Sequence, residues 1–322
     1  MIVTEGVEGL FMQPLTLNSK RSARFKKTIA ITVMMLPGAI WLLVIRYLPM
    51  IGVVMAFQNH RPYVPNPGFW GNIINSPFVG LRNFQFIFFG DRAWNMIFNT
   101  IAYNAFFIVL TTVLGVALAI LITEIGSKFF AKLYQTLMFF PFFISWVVAS
   151  YFVFAFLEPT FGLLAHVREW YMDPTGWPVI LTSAHLWKTL GYTCIVYVAA
   201  IAGIDQGMYE AAAIDGASKW KQVWHITIPT IKPMIIILNI LAVGRIIMAD
   251  FGLFWNVTMD SGPLQRATEV FDTYVYRVMI SNVAGAMDFA TAAGLFQSII
   301  GFICIMGANA IVRKINPENS LF

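Results

Sequence analysis

Charge is scarce in this chain. Asp, Glu, Lys and Arg together make up 11% of its 322 residues, where a soluble domain carries about 25%. Cysteine is almost missing, and its two examples, Cys194 and Cys304, lie in apolar runs far from any CxxC or His-rich pattern. That placement speaks against a disulfide framework or a thiolate metal site and suits thiols packed as small hydrophobes. The four histidines show no HExxH or paired spacing, and no G-x-S-x-G occurs. Nor is there a G-x-x-x-x-G-K-[ST] loop to cradle nucleotide phosphates. The chain is therefore expected to be no enzyme and to bind no cofactor or metal of its own. Intramembrane proteases and lipid transferases, which carry no such motifs, are the enzymatic alternative.

What the sequence has instead is apolar surface. Hydrophobic residues make up 58% of it, and the mean hydropathy is +0.71. A single water-soluble core cannot bury that excess, so the length counts membrane spans and not domains. Six segments of about 20 or more apolar residues qualify as spanning helices: 29–57, 97–122, 133–157, 178–204, 231–256 and 288–312. The expected fold is an all-α integral membrane protein. The first segment carries Pro37, Arg46 and Pro49, so its membrane part is expected to end near Leu48. Ahead of it, residues 1–28 read as a basic cytoplasmic arm (Lys20, Arg21, Arg24, Lys26, Lys27), with Leu10 to Leu17 resting on the membrane surface. Residues 29–322 form the transmembrane domain.

Six spans put both termini on one side. That side holds twelve Lys and Arg, the other six, and Arg46, Lys188 and Arg245 remain within spans. The positive-inside bias places the termini in the cytoplasm. The net charge of +5 comes largely from the arm, and no nucleic-acid partner is expected. Partners in the membrane plane, lipid included, are.

One compact polar segment interrupts the apolar runs: EAAAIDGASKWKQVWHITIPTIKP, Glu210 to Pro233. Helix formers fill Tyr209 to Ile214, with Glu210 near the amino end, where it complements the helix dipole. Gly216 follows Asp215 as a hinge open to positive φ, and Ser218 can cap a second short helix. Trp220, Val223 and Trp224 share one face of that helix, while Lys219 and Gln222 point elsewhere. Pro229 and Pro233 are expected to restart the chain into the next span. The segment is a helix–Gly–helix knob on the cytoplasmic side. It suits either an interfacial loop with tryptophans at the headgroups or a plug for a cytoplasmic partner.

This segment resembles the EAA loop of ABC-importer permeases, E-A-A-x-x-x-G-x(9)-I-x-L-P. Glu210, Ala211, Ala212, Gly216, Ile226 and Pro229 fill its fixed places, and Ile228 stands where Leu is usual. GLRNF (Gly80 to Phe84) and the pair Asn99–Thr100 match two further stretches of the family. DFGLFWNVT, VFDTYVYR and the carboxyl-terminal AAGLFQSIIG and NAIVRKINPENSLF resemble its polysaccharide-type carbohydrate branch. The resemblance implies a type I importer permease in the bacterial cytoplasmic (inner) membrane. It would work with a second permease subunit, expected to be a different chain, with two ATPase subunits that use ATP and Mg, and with an extracytoplasmic solute-binding protein. The cargo would be an oligosaccharide, an acidic, alginate-like one being the nearest likeness. The loop, about 205–230, would be the coupling helix, with Glu210, Ala211, Ala212, Asp215, Gly216, Ala217, Trp220 and Pro229 meeting the ATPase. An ion-gradient-driven secondary transporter is the alternative, although two inverted halves with broken helices near the midplane are not evident in the sequence.

Charges inside spans face a partner or a watery path. Lys188, Arg245 and Asp250 are the candidates for the substrate path, beside structural roles as interhelical pairs. Arg245 and Asp250 are five residues apart, about 140° around a helix, so they make no same-face pair. Trp255 and Phe254, near the outer end of the fifth span, are candidates for sugar stacking. The charge asymmetry carries a topological test. A reporter after Phe322 or near Lys128 should read cytoplasm, and one inserted near Asn66 or Asp260 should read outside. A cytoplasmic signal at Asn66 would reverse the orientation.

Overall fold

The computed structural model describes residues 17–59, 68–85, 91–281 and 285–321. The expected surface rest of Leu10 to Leu17 falls, apart from Leu17, outside them. Among the described residues there is no strand, only an isolated bridge between Gln58 and Phe78. The chain divides into two compact units, Met1–Val54 and Met55–Phe322, a division by packing and not by the membrane boundary expected at residue 28.

The helices in chain order are α1 (Leu17–Leu42), α2 (Gly68–Asn75), α3 (Asp91–Thr123), α4 (Lys128–Phe139), α5 (Trp146–Leu157) and α6 (Trp177–Ala202). After them come α7 (Gln206–Ile214), α8 (Lys219–Gln222), α9 (Ile228–Val243), α10 (Gln265–Thr268), α11 (Phe271–Ile280) and α12 (Ala286–Ile315). Among the described residues, four continuous helical stretches are long and apolar enough to cross a membrane: Lys27–Phe57, Arg92–Thr123, Lys219–Val243 and Ala286–Ile315. Counting each of two bent helix pairs as one span brings the total to six.

Three of the expected spans differ in detail. The first stays helical past Leu48, through a π turn at Leu43–Tyr47 and 3-10 winding from Leu48 to Phe57, so the altered winding accommodates Pro49. The third, 133–157, is bent by 100° between Phe143 and Trp146. Pro141 sits in a 3-10 turn, Ile144 and Ser145 are extended, and the Ser145 hydroxyl caps α5 by accepting the Val148 N–H. The fifth, 231–256, stops as a helix at Val243, and the chain unwinds before a π turn at Leu253–Val257. Gly244 follows the last helical residue, at a close crossing. A Cβ there would lie 2.0 Å from Ile305 Cγ1, and one on Gly301 would lie 2.6 Å from the Gly244 carbonyl oxygen. At that crossing α9 and α12 approach too closely for side chains.

Helices α3 and α6 form the main pair. On one half of their length Tyr103, Phe107, Trp177, Leu181, Phe254 and Val257 belong to one apolar cluster. On the other half Ala119, Ile122, Cys194, Tyr197, Ile201 and Ile231 form a second. Motif residues tie the ends. Asn83 donates to the carbonyls of Ala56 (3.0 Å) and Gln58 (2.7 Å). Asn99 donates to those of Arg266 and Glu269, and the Thr100 hydroxyl accepts the Phe271 N–H at 2.9 Å. Buried Glu269 is clasped by Arg92 (2.8 Å) and Arg277, and Arg277 also pairs with Asp260.

Where α6 crosses α4, Gly191 allows the contact: a Cβ would lie 1.9 Å from the Met138 carbonyl oxygen. Gly191→Ala should force the helices apart at a cost of about 1–3 kcal/mol, as overpacking does. Gly294, where a Cβ meets nothing within 4 Å, is the control. In detergent the thermal midpoint of Gly191→Ala should fall and that of Gly294→Ala should hold. Equal midpoints would show that this crossing tolerates a methyl group.

Candidate functional site

The polar segment folds as a knob of two helices, and its turn has a definite cause. Asp205 caps α7 by accepting the Gly207 N–H at 2.9 Å. At the other end the Ala217 N–H reaches the Ala212 carbonyl (2.9 Å) and the Gly216 N–H reaches that of Ala213 (3.1 Å). Gly216 stands between them at φ +76°. This is a Schellman cap, whose pivot favours glycine because a Cβ opposes positive φ. Ser218 then caps α8, accepting the Lys221 N–H at 3.4 Å. Helix α7 begins at Gln206, so Glu210 sits mid-helix, and Asp205 takes the dipole role expected of it. Glu210 is exposed and forms no ion pair within the described chain.

The second helix departs from expectation in two ways. It does not end at the prolines: α8, a π turn at Val223–Thr227 and α9 run on as one 25-residue helix, Lys219–Val243. The π turn shifts the register so that Pro229 falls in the first turn of α9, where its missing N–H costs no bond. The apolar face also divides. Val223 and Gln222 turn inward, whereas Trp220 and Trp224 stay exposed as an edge-to-face pair 5.8 Å apart. The knob is anchored by Tyr209 and Thr227, whose hydroxyls are 2.9 Å apart, and by Lys219 to Glu124 at 3.0 Å. Ala211 and Asp215 are exposed, Ala212 and Ala217 half-buried, and Pro229 exposed.

At the far end of that helix lies a cavity of about 640 Å³ among α3, α6, α9, the unwound residues 244–250 and the helical residues Phe251 and Gly252 that follow. Its lining draws on both apolar clusters, through Phe107 and Tyr197, and adds polar groups between them. Arg245 lines it without an ion pair or side-chain hydrogen bond in the described chain. Asp250 lines it too, but its oxygens are engaged: Oδ2 accepts the Trp146 indole N–H at 2.6 Å and Oδ1 the Leu253 N–H at 3.4 Å. The buried Thr111 Oγ1 and His185 Nδ1 atoms, on residues that also line the cavity, have no hydrogen-bond partner among the described residues. A pocket with unpaired polar atoms among apolar walls is suited to a polar ligand.

The remaining candidates lie elsewhere. Lys188 donates to the carbonyls of Phe142 (3.1 Å) and Ile144 and stands 5.3 Å from the Trp146 ring centre. Its charge thus serves the bend between α4 and α5. Phe254 is buried at 2% exposure, 5.0 Å from the ring of Tyr103, and does not line the cavity. The sequence placed it beside Trp255, but the π turn sends it into the core. Trp255 stacks on Phe251 (5.5 Å) and meets Tyr276 edge-on (4.8 Å), under the Arg277 guanidinium. Phe251 borders both this aromatic group and the cavity. Trp146, Thr111 and His185 escaped the sequence reading, because nothing in their spacing marks them as neighbours of residues more than 50 positions away.

Beside the bend, the turn-rich segment 158–176 is set by short-range carboxylate bonds. The N–H groups of Phe161 and Thr160 hold Glu158 below the usual carboxylate range, and the Thr175 hydroxyl and N–H do the same for Asp173.

The comparisons agree with this architecture. Residues 111–317 match the family described as binding-protein-dependent transport system inner membrane component. Protein LplB of Bacillus subtilis is 32% identical over 306 residues, covering 92% of each chain. The polygalacturonan/rhamnogalacturonan transport system permease protein YteP of the same organism is 32% identical over 302 residues, covering 88% of each. The crystal structure of a bacterial ABC transporter involved in import of the acidic polysaccharide alginate superposes with a TM-score of 0.79 at 29% identity, covering 92% of this chain and 99% of that one. A second, of a bacterial alginate ABC transporter in complex with an alginate pentasaccharide-bound periplasmic protein, gives 0.78, also at 29% identity, over 91% and 97%. With more than half of its length inside the family match, the chain belongs to the binding-protein-dependent transport system inner membrane components, as an all-α ABC importer permease of the sugar-transporting kind.

Proposed function

We propose that this permease carries an acidic oligosaccharide through the cavity, with Arg245 as the group that meets its carboxylates. The unpaired guanidinium carries the reading. A guanidinium that lines the cavity without an ion pair in the described chain favours an anionic ligand, and its planar fork suits a carboxylate bidentately. Asp250 does not cancel it, because Trp146 and the Leu253 N–H hold that carboxylate. The aromatic group of Phe251, Trp255 and Tyr276 offers ring faces for sugars beside the same segment. Two of the similar proteins are described with acidic polysaccharides, polygalacturonan and alginate, which supports the choice of cargo.

On this reading the chain works in the bacterial inner membrane with both termini cytoplasmic. It pairs with a second permease and receives cargo from an extracytoplasmic binding protein, as the alginate complex suggests by likeness. It holds no ATPase site. ATP and Mg are used by two partner subunits that grip the knob, and family membership takes the place of the ion-gradient alternative. Exposed Glu210, Ala211, Asp215 and Trp220 face that partner, while Ala212, Gly216 and Ala217 shape the turn.

Two measurements test the two ends. Arg245→Gln in the reconstituted complex should cut transport of acidic oligosaccharides by about tenfold or more, the worth of one charge-assisted hydrogen-bonded pair. Neutral oligosaccharides should be little affected and assembly should be retained. Equal loss for both cargoes would remove the charge argument. Gly216→Val opposes the positive φ of the cap at a cost of about 1–2 kcal/mol, and Gly216 itself lies in the turn between the spanning stretches. The variant should insert normally, yet lose substrate-stimulated ATP hydrolysis or release the ATPase subunit on purification. Normal stimulation and assembly in both Gly216→Val and Glu210→Ala would reduce the knob to an interfacial loop.

A further inference from the structure

Arg245 and Asp250 both line the cavity, which no continuous helix would allow, since five residues of α-helix place them about 140° apart. The unwound stretch between them is what brings them to one wall. Its backbone is read residue by residue by side chains from three other helices. Asn104 of α3 donates from Nδ2 to the carbonyls of Ile246 (2.8 Å) and Met248 (3.1 Å). Gln297 of α12 donates from Nε2 to the Ile247 carbonyl at 3.0 Å. Asp272 of α11 accepts the Ala249 N–H on Oδ2 at 2.7 Å, and the same oxygen accepts from Gln297 at 3.2 Å. Four backbone groups of three consecutive peptide units are thus bonded by three side chains.

We propose that Asn104, Asp272 and Gln297 are positioning residues, which hold residues 246–249 out of the helix and so turn Arg245 and Asp250 to the same cavity. Without the clamp, the cheapest way to pair these peptide groups away from water is to wind them into an extension of α9. Winding rotates Arg245 and Asp250 to different sides of the helix and undoes the cavity wall. The importance of that wall rests on the cargo reading above; the clamp itself does not.

The test separates the two. In the purified complex with Cys194→Ser and Cys304→Ser, Arg245→Cys reports its own accessibility through its rate of modification by a small charged methanethiosulfonate. Adding Asp272→Ala or Asn104→Ala should change that rate several-fold. Asp272→Asn should restore it, because a carboxamide oxygen still accepts the Ala249 N–H. Tyr192→Cys, in the lining of the same cavity but exposed and on α6, should keep its rate throughout. With Arg245 present, Asp272→Ala should lower the maximal transport rate by about tenfold or more, as small misplacements of a site do. The half-saturating concentration of loaded binding protein should stay unchanged. Unaltered labelling at position 245 in both alanine variants, equal changes at 245 and 192, or loss of assembly in Asp272→Asn would each overturn the proposal. A failed Arg245→Gln discrimination with altered labelling would sink the cargo reading and leave the clamp standing.

Discussion

A peptide group inside hydrocarbon has no water to bond, and an unpaired one costs several kcal/mol. The described structure follows from how that constraint is met wherever a spanning helix breaks. At the 100° bend the ammonium of Lys188 takes the carbonyls of Phe142 and Ile144, which the turn has cut loose. At the end of α9 three side chains from three helices take the place of helical bonds at residues 246–249. The two breaks also touch. Trp146 starts the helix after the bend, and its indole bonds Asp250 while its ring packs against Gly252, where a Cβ would come within 2.4 Å. Irregular backbone at membrane depth is tolerated here because protein surrounds it and because it borders a cavity.

The same accounting separates two cations that look alike in the sequence. Lys188 and Arg245 are each a lone positive charge in an apolar run. A compact ammonium with three rotatable donors suits a cluster of carbonyls, and Lys188 is used up by one. Arg245, on the unwound stretch, has no such cluster and lines open space. Charge at these two places therefore serves different ends: Lys188 holds the backbone at the bend, and Arg245 lines the cavity.

Much of the fold was legible because its signals are local. Apolar run length marks spanning helices, and the Asp205 and Ser218 caps with Gly216 between them set the knob within about 15 residues of chain. The details missed share one cause. Run length does not distinguish an apolar helix from apolar residues that are unwound or bent, so the bend inside 133–157 and the unwound end of 231–256 were not legible. The bend is held by Lys188, and the unwound end by Asn104, Asp272 and Gln297, all distant in sequence. Phe254 was misplaced for the same reason, because its direction is set by the π turn. The roles of Asn83, Asn99 and Thr100 were visible only as family likeness, and the structure supplies their physics: each holds backbone groups from another part of the chain.

The knob and the cavity sit at opposite ends of one element. From the Ser218 cap to Val243 the chain is a single helix of 25 residues, about 37 Å at 1.5 Å per residue. Its first turns carry the Trp220–Trp224 pair and the tie from Thr227 to Tyr209 of the other knob helix. Its last residue precedes Gly244 and Arg245. A helix transmits displacement along its axis with little loss, whereas the glycine crossing and the clamped stretch beyond it are where rotation can be absorbed. On the proposed coupling, a push on the knob would have a stiff route along this helix toward the residue proposed to meet the cargo. Coupling by this route needs no network of side chains, only a rigid rod whose outer end is joined to a segment held in place by hydrogen bonds that can be exchanged.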